Sequence, residues 1–493
     1  MLPSSGRGPD PALGGGHSRS RKPSEGRHRG ATLTSPNPPE RNEPRQRAAT
    51  ATLHSDPFGP LRTRGYLMLL VVAALLGVVL SAGAYGFLQA VEQIQQALFD
   101  DLPKGLGFDG PPVWWPLPLL GLSGLLVALT VQYLPGNGGH QPAEGLNTKG
   151  APSAAELPGI LLAALASLGL GAVIGPEAPL IALGGGIALY AFRLLRPGSD
   201  ATTQAVVAAS GSFAAISALL GSPLLGAFLL MEASGLAGPV LGITLLPGLL
   251  AAGIGSLVFT GLGSWTGVGA GQLVIPSLPA AGRPDVAQFG WALVIGVAAA
   301  AAGIGIQRLA LWLQPHVNSR RLVWTPLFGL AVAGLAIAYA EGTGNAFSQV
   351  LFSGQSALPD LLLHAGDYTG GALTLLVVCK GMAYCLCLAA FRGGPIFPAL
   401  FIGAAGGVAL SHLPGLPFVA AAAMGMGAMS VALLRLPMTS VLLATLLLGK
   451  DGVTVMPLVI VAVVVSHVTA SRLVPAPPAE PAAAAAAVAS VPG

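Results

Sequence analysis

Fourteen apolar segments fill the chain between residues 66 and 473, and several are too short to cross a bilayer upright. They lie at 66–90, 114–134, 157–174, 178–195, 204–220, 223–235, 239–262, 287–313, 323–341, 370–390, 396–412, 417–434, 437–449 and 453–473. A perpendicular helical span needs about 20 residues. Many of the segments contain or begin at Gly or Pro. Helix ends at membrane depth leave backbone polar groups that must line a cavity or be buried in protein. Short, interrupted helices of this kind are a transporter trait. The pattern predicts an all-α polytopic membrane protein with short and broken membrane helices. Charge agrees: 9% of the 493 residues are charged and 53% are hydrophobic, against about 25% charged in an ordinary soluble protein. The 69 glycines suit helices that pack closely or break.

The ends are of different material. Residues 1–62 are rich in Pro, Gly, Ser and Arg and show no apolar period, which predicts a disordered tail. Eleven basic residues from Arg7 through Arg64 stand against five acids, directly before the first apolar segment. The positive-inside rule then places the N-terminus in the cytoplasm. The tail reads as solvated, with no nucleic-acid partner. Residues 475–493 form an Ala/Pro-rich tail, also expected to be cytoplasmic, so residues 63–474 are the transmembrane domain of a multi-pass cell-membrane protein. The three cysteines, Cys379, Cys385 and Cys387, cluster in one apolar segment without a His at ligand spacing. They are read as buried thiols. No metal or other cofactor is expected, and no phosphate-binding loop points to an ATP-driven pump.

An internal duplication is visible. Gly175-Pro176-Glu177-Ala178-Pro179 followed by Gly184 has the same form as Gly394-Pro395-Ile396-Phe397-Pro398 followed by Gly403. Downstream, Ala208, Ala209, Gly211, Ala214, Ala218, Leu219, Leu220 and Pro223 correspond to Ala422, Ala423, Gly425, Ala428, Ala432, Leu433, Leu434 and Pro437. The offsets are nearly equal, 219 and 214. Two repeats are expected, about 66–262 and about 287–473, with a substrate site between them near the midplane. The Gly-Pro blocks should start helices, since Pro suits a first helical turn. Helix N-termini carry partial positive charge and free N–H donors, so several aimed at one point bind an anion. Such a site holds an ion without a full cationic side chain and can release it again.

Glu177 breaks the symmetry, because its counterpart is Ile396. A carboxylate at the bilayer centre costs about 2.5–3.5 kcal/mol on insertion scales, so an intramembrane acid is a functional candidate by default. Among helix N-termini it would stand where a permeant anion binds, and protonation would free that place. Glu177 is therefore expected to be a gate. The plainer reading is a helix-capping Glu.

These residues resemble the CLC chloride channel and chloride/proton antiporter family. Gly175-Pro176-Glu177-Ala178-Pro179 is similar to its G-[KR]-E-G-P motif, whose Glu is the external gate. Gly393-Gly394-Pro395-Ile396-Phe397-Pro398 resembles G-G-x-F-x-P. Gly136-Asn137-Gly138-Gly139-His140 lies where the family has G-S-G-x-P. Gly221-Ser222-Pro223-Leu224-Leu225-Gly226 leading to Glu232 resembles A-P-L-x-G…E-E, and Arg435-Leu436-Pro437-Met438-Thr439 resembles R-x-P-[LM]-T. The resemblance implies a CLC-type inverted-repeat helical fold and a homodimer with one pore per subunit. It also implies transport of chloride or a similar small anion past a glutamate gate. It places Asn137, Gly138, Gly175, Pro176, Glu177, Ala178, Ile396 and Phe397 at the anion. Glu232 and Lys380 are left as candidates for a proton path or for balancing each other's charge, and Lys380 equally as an intramembrane cation bound to helix C-terminal carbonyls.

The departures matter. Pro176 replaces a basic residue, Ala178 a Gly, and Asn137 the pore Ser, although an amide can still donate to an anion. The pore Tyr of the last helix has no counterpart near Gly452, and Tyr339 and Tyr384 are not at equivalent places. The second position of the E-E pair, an intracellular proton-transfer Glu in the exchangers, is Ala233. That favours a voltage-gated-type chloride channel or an uncoupled transporter over an antiporter with protons as second partner. A fluoride exporter of the same fold is a further alternative. A different class, an intramembrane serine protease, would use Ser123 of Gly121-Leu122-Ser123-Gly124 with His467. It leaves Glu177 and the duplication unexplained, so no enzyme is expected.

Overall fold

The computed structural model describes residues 62–146, 150–234, 238–266, 275 and 278–474. Apart from Arg62, the two expected tails lie outside the described residues. The chain runs through α1 (Arg64–Gln96), α2 (Pro116–Tyr133), α3 (Leu157–Gly169), α4 (Glu177–Leu195), α5 (Ala201–Leu220), α6 (Pro223–Ser234), α7 (Gly238–Thr266) and α8 (Val286–Ser319). It continues through α9 (Arg321–Thr343), α10 (Ala357–Leu363), α11 (Gly370–Ala390), α12 (Ile396–Leu410), α13 (Phe418–Leu434), α14 (Pro437–Leu447) and α15 (Gly449–Leu473). Among the described residues nine helices are long and apolar enough to span a membrane, while α3, α6, α12, α13 and α14 are shorter apolar helices.

Local chemistry sets the boundaries. The Asp200 carboxylate accepts from the Thr203 N–H at 2.9 Å and starts α5. Asp285 does the same for α8 through Gln288, at 2.8 Å. These caps satisfy donors that a helix start leaves free. Gly221 closes α5 in the left-handed region, at φ 61°, and Pro223 begins the next helix two residues later. In α1, Leu67, Val71, Leu75 and Val79 are exposed at four-residue spacing, which puts one helix face towards lipid.

The two blocks of matching sequence make matching contacts. A Cβ on Gly184 would collide with the Gly211 carbonyl, and one on Gly211 with the Gly184 carbonyl. Gly403 and Gly425 stand in the same reciprocal relation. Each offset found in the sequence, 219 and 214, thus links one glycine of the α4–α5 crossing to one of the α12–α13 crossing. Small residues let helix backbones approach where lipid gives no hydrophobic drive to associate. Burial differs, however. Every residue from Ile396 to Ala405 and from Val419 to Leu434 is buried, so α12 and α13 form the centre of the molecule. All three cysteines are buried and unpaired, as expected. The Cys387 sulfur accepts from the Val173 N–H at 3.2 Å, tying α11 to the approach to α4.

Candidate functional site

The two Gly-Pro blocks meet. The Gly175 N–H donates to the Gly394 carbonyl at 2.7 Å, and the Gly394 N–H returns the bond at 2.5 Å. This antiparallel bridge sets the starts of α4 and α12 side by side. Pro176 and Pro395 cap the two helices with nearly equal dihedrals, φ −82° with ψ −1° and φ −92° with ψ −6°. The Tyr384 hydroxyl, fully buried on α11, donates to the Pro395 carbonyl at 2.8 Å and holds the second block in place.

Glu177 crosses from one helix start to the other. Its Oε1 accepts from the Phe397 N–H at 2.9 Å, in the first turn of α12. Its Oε2 is buried without a hydrogen-bond partner among the described residues, and the residue has 0% exposure. A Cβ on Gly394 would run into the carboxyl group, so the glycine is what leaves room for it. The negative group thus lies at the positive end of the partner helix, on a free N–H. Ile396 and Phe397 are buried beside it. Glu177, Gly175, Pro176, Ile396 and Phe397 are accordingly assembled at one point.

A cavity of about 620 Å³ ends against this point without including Glu177. Ala178 and Gly138 line it, as do His140, Ser212, Arg392 and Gly393. Gly138 is buried at φ 68°, in the left-handed region where a side chain is strained. Asn137 does something other than expected. Its residue is exposed, it does not line the cavity, and the group it contributes is its backbone carbonyl, which accepts from Arg392 Nε at 3.2 Å. Among the described residues no α-helix begins at this loop: Pro135–Gly138 and Pro142–Glu144 are short 3-10 segments, and α3 starts at Leu157. Burial lowers the His140 imidazole pKa, with Glu144 opposing.

Glu232 and Lys380 do not balance each other. Glu232 caps α14: its carboxylate accepts from the Met438 N–H at 2.7 Å, the Thr439 N–H at 2.8 Å and the Thr439 hydroxyl at 2.7 Å. Lys380 is fully buried on α11, and its ammonium donates to the carbonyls of Gln349, Val350, Leu351 and Phe352 at 2.8–3.4 Å. It also lies 4.4 Å from the Phe401 ring centre. The protease pair is absent. The Ser123 hydroxyl donates to the Ala166 carbonyl at 2.6 Å, and His467 Nδ1 is buried without a partner.

Arg392 escaped the sequence reading. It is 3% exposed, between α11 and the second Gly-Pro block. The signal was available: it is the one Asp, Glu, Lys or Arg between Lys380 and Arg435. An isolated charge in so apolar a stretch is a functional candidate on the same ground as Glu177.

Known proteins share this fold. Residues 123–471 match the family described as voltage gated chloride channel. The ion-transport protein YfeO of Salmonella newport is 29% identical over 366 residues, which are 72% of this chain and 84% of that protein. Among solved structures, a slow cyanobacterial Cl−/H+ antiporter superposes with a TM-score of 0.66 at 21% identity, over 82% of this chain and 94% of that one. A CLC-type fluoride/proton antiporter gives 0.64 at 17% identity, over 83% and 97%. The helix order, the paired helix starts and the family match lead to one conclusion: the chain belongs to the voltage gated chloride channel family, the CLC proteins.

Proposed function

We propose that this protein moves chloride or a similar small anion across the membrane, with Glu177 as the gate. One observation carries this reading: the Glu177 carboxylate accepts from the Phe397 N–H at the start of α12. That donor suits any small anion, and an ionised side chain occupying it excludes one. Protonation removes the charge that the helix terminus favours. The neutral side chain then yields the place, and an anion entering past Gly138, Ala178 and Gly393 takes it. The paired glycines supply the space. Opening therefore rises as the side from which Glu177 is protonated becomes more acidic.

Transport is proposed to be uncoupled from protons. Ala233 stands where an exchanger's second Glu would be, and Glu232 is committed to capping α14. The working unit is proposed to be a homodimer with a pathway in each subunit and both termini cytoplasmic. The test is anion efflux from liposomes with proton movement recorded together, across a series of external pH values. Wild type should release chloride faster at low pH without moving protons uphill, and Glu177→Gln should be fast and flat with pH. A Glu177→Gln protein that keeps the wild-type pH dependence would remove Glu177 as gate. Uphill proton movement in wild type would replace the channel reading with exchange. Fluoride efflux in place of chloride would change the substrate and keep the gate.

A further inference from the structure

Arg392 is a buried cation that lacks a counter-ion among the described residues. Its Nε donates to the Asn137 carbonyl at 3.2 Å and its Nη1 to the Phe391 carbonyl at 3.2 Å. Its own N–H donates to the Ser167 hydroxyl at 3.2 Å. Nη2 makes no hydrogen bond among the described residues, and no carboxylate lies within ion-pair distance of the guanidinium. The acid that acts on it electrostatically is Glu144, which is half exposed and accepts from Gln314 Nε2 at 3.2 Å; Arg321 adds repulsion. Yet the residue is 3% exposed and lines the cavity. A charge taken out of water is costly unless paired. Backbone carbonyls fix the side chain in position but leave its charge unneutralised. Gly138 packs on its stem, where a Cβ would come 3.3 Å from Arg392 Cγ. The arrangement is a positioned cation presented to a space that ends at the Glu177 gate.

We infer that the missing counter-ion is the transported anion, held in the cavity by Arg392 one step before the place that Glu177 occupies. This deepens the anion-transport reading and rests on it. An anion site made of helix termini alone needs no full cationic side chain. This chain supplies one, two residues ahead of Gly394, while its gate motif carries Pro176 where a basic residue is the family pattern. Arg392 is thus an anion-binding residue of this chain. Its fixed positive charge favours anions over cations and raises their local concentration at the gate.

The test has two arms. In liposomes, the half-saturating chloride concentration should rise about tenfold or more in Arg392→Gln, because a desolvated charge partner is lost. Arg392→Lys, which keeps the charge, should fall between it and wild type. An unchanged half-saturating concentration in Arg392→Gln overturns the inference. The second arm uses the wild-type protein and does not depend on a variant folding. Crystals soaked in bromide should show an anomalous peak within hydrogen-bond reach of Arg392 Nη2. A bromide map with no peak there overturns the inference as well. If wild type moves no anion in liposomes the transport reading fails, while the bromide map still judges Arg392 separately.

Discussion

The starts of α4 and α12 have almost the same backbone and opposite chemistry. Both follow a Gly-Pro pair, both are capped by that Pro, and their glycines bond to each other. One then carries Glu177 and the other Ile396. The acid of the first reaches the N–H of the second, whereas the aliphatic residue of the second is simply packed. Space is divided just as unequally. Apart from Arg392 and Gly393, every residue lining the cavity lies between Gly136 and Leu245, while α12 and α13 are sealed in the core. A repeated backbone thus provides two matched helix termini, and one side chain and one cavity make a direction out of them.

The largest effect should come from exchanging the two side chains. Glu177→Ile alone should abolish the pH response of anion flux. Adding Ile396→Glu should bring a pH response back, because the matched helix starts should seat the new carboxylate at the start of α4 as Glu177 is seated at the start of α12. A double variant as flat as the single one would mean that the seat is peculiar to α12.

The helix crossings test the shared part of the comparison. Gly403→Ala places a methyl group against the Gly425 carbonyl and should cost about 3 kcal/mol, read as a lowered Tm in detergent. Gly184→Ala should do comparable damage at the α4–α5 crossing, where it meets Gly211. Gly406→Ala is the control: its Cβ would meet only Val377, at 3.9 Å, and it should gain about 0.5 kcal/mol from helix propensity. Equal Tm values for the 403 and 406 variants would break the packing account.

Lys380→Met should cost about 1–3 kcal/mol by leaving carbonyls of residues 349–352 unsatisfied. The pH dependence of flux should stay as in wild type. A shifted pH profile would bring Lys380 into the gating machinery. Glu232→Ala should have the smallest effect, about 1 kcal/mol for a lost cap on α14, with transport unchanged. Altered proton movement in that variant would instead restore Glu232 as a relay.

Much of this was legible in the residues. The fourteen apolar segments reappear as α1–α9 and α11–α15, and the Gly-Pro blocks do begin α4 and α12. Both signals are local: hydropathy fixes the spans, and Pro after Gly fixes the starts. Glu177 was legible because an acid between prolines is out of place in an apolar run. The seven-residue α10 was not, being shorter than any useful period. Three roles depended on distant partners that no local signal identifies, although carbonyl binding by a buried Lys380 was one of its expected readings. Glu232 caps a helix 206 residues away, Lys380 finds its carbonyls about 30 residues upstream, and the Asn137 carbonyl meets Arg392 across the molecule. Motif likeness placed Asn137 by its side chain, whereas the fold uses its backbone.

The central claim is that Glu177 and the anion compete for the start of α12. Calorimetric titration of the purified protein with chloride at several pH values tests it most directly. The account predicts that wild-type affinity falls as pH rises, while Glu177→Gln binds chloride with the same affinity throughout. Wild-type affinity independent of pH, or a Glu177→Gln protein that follows the wild-type curve, would contradict it.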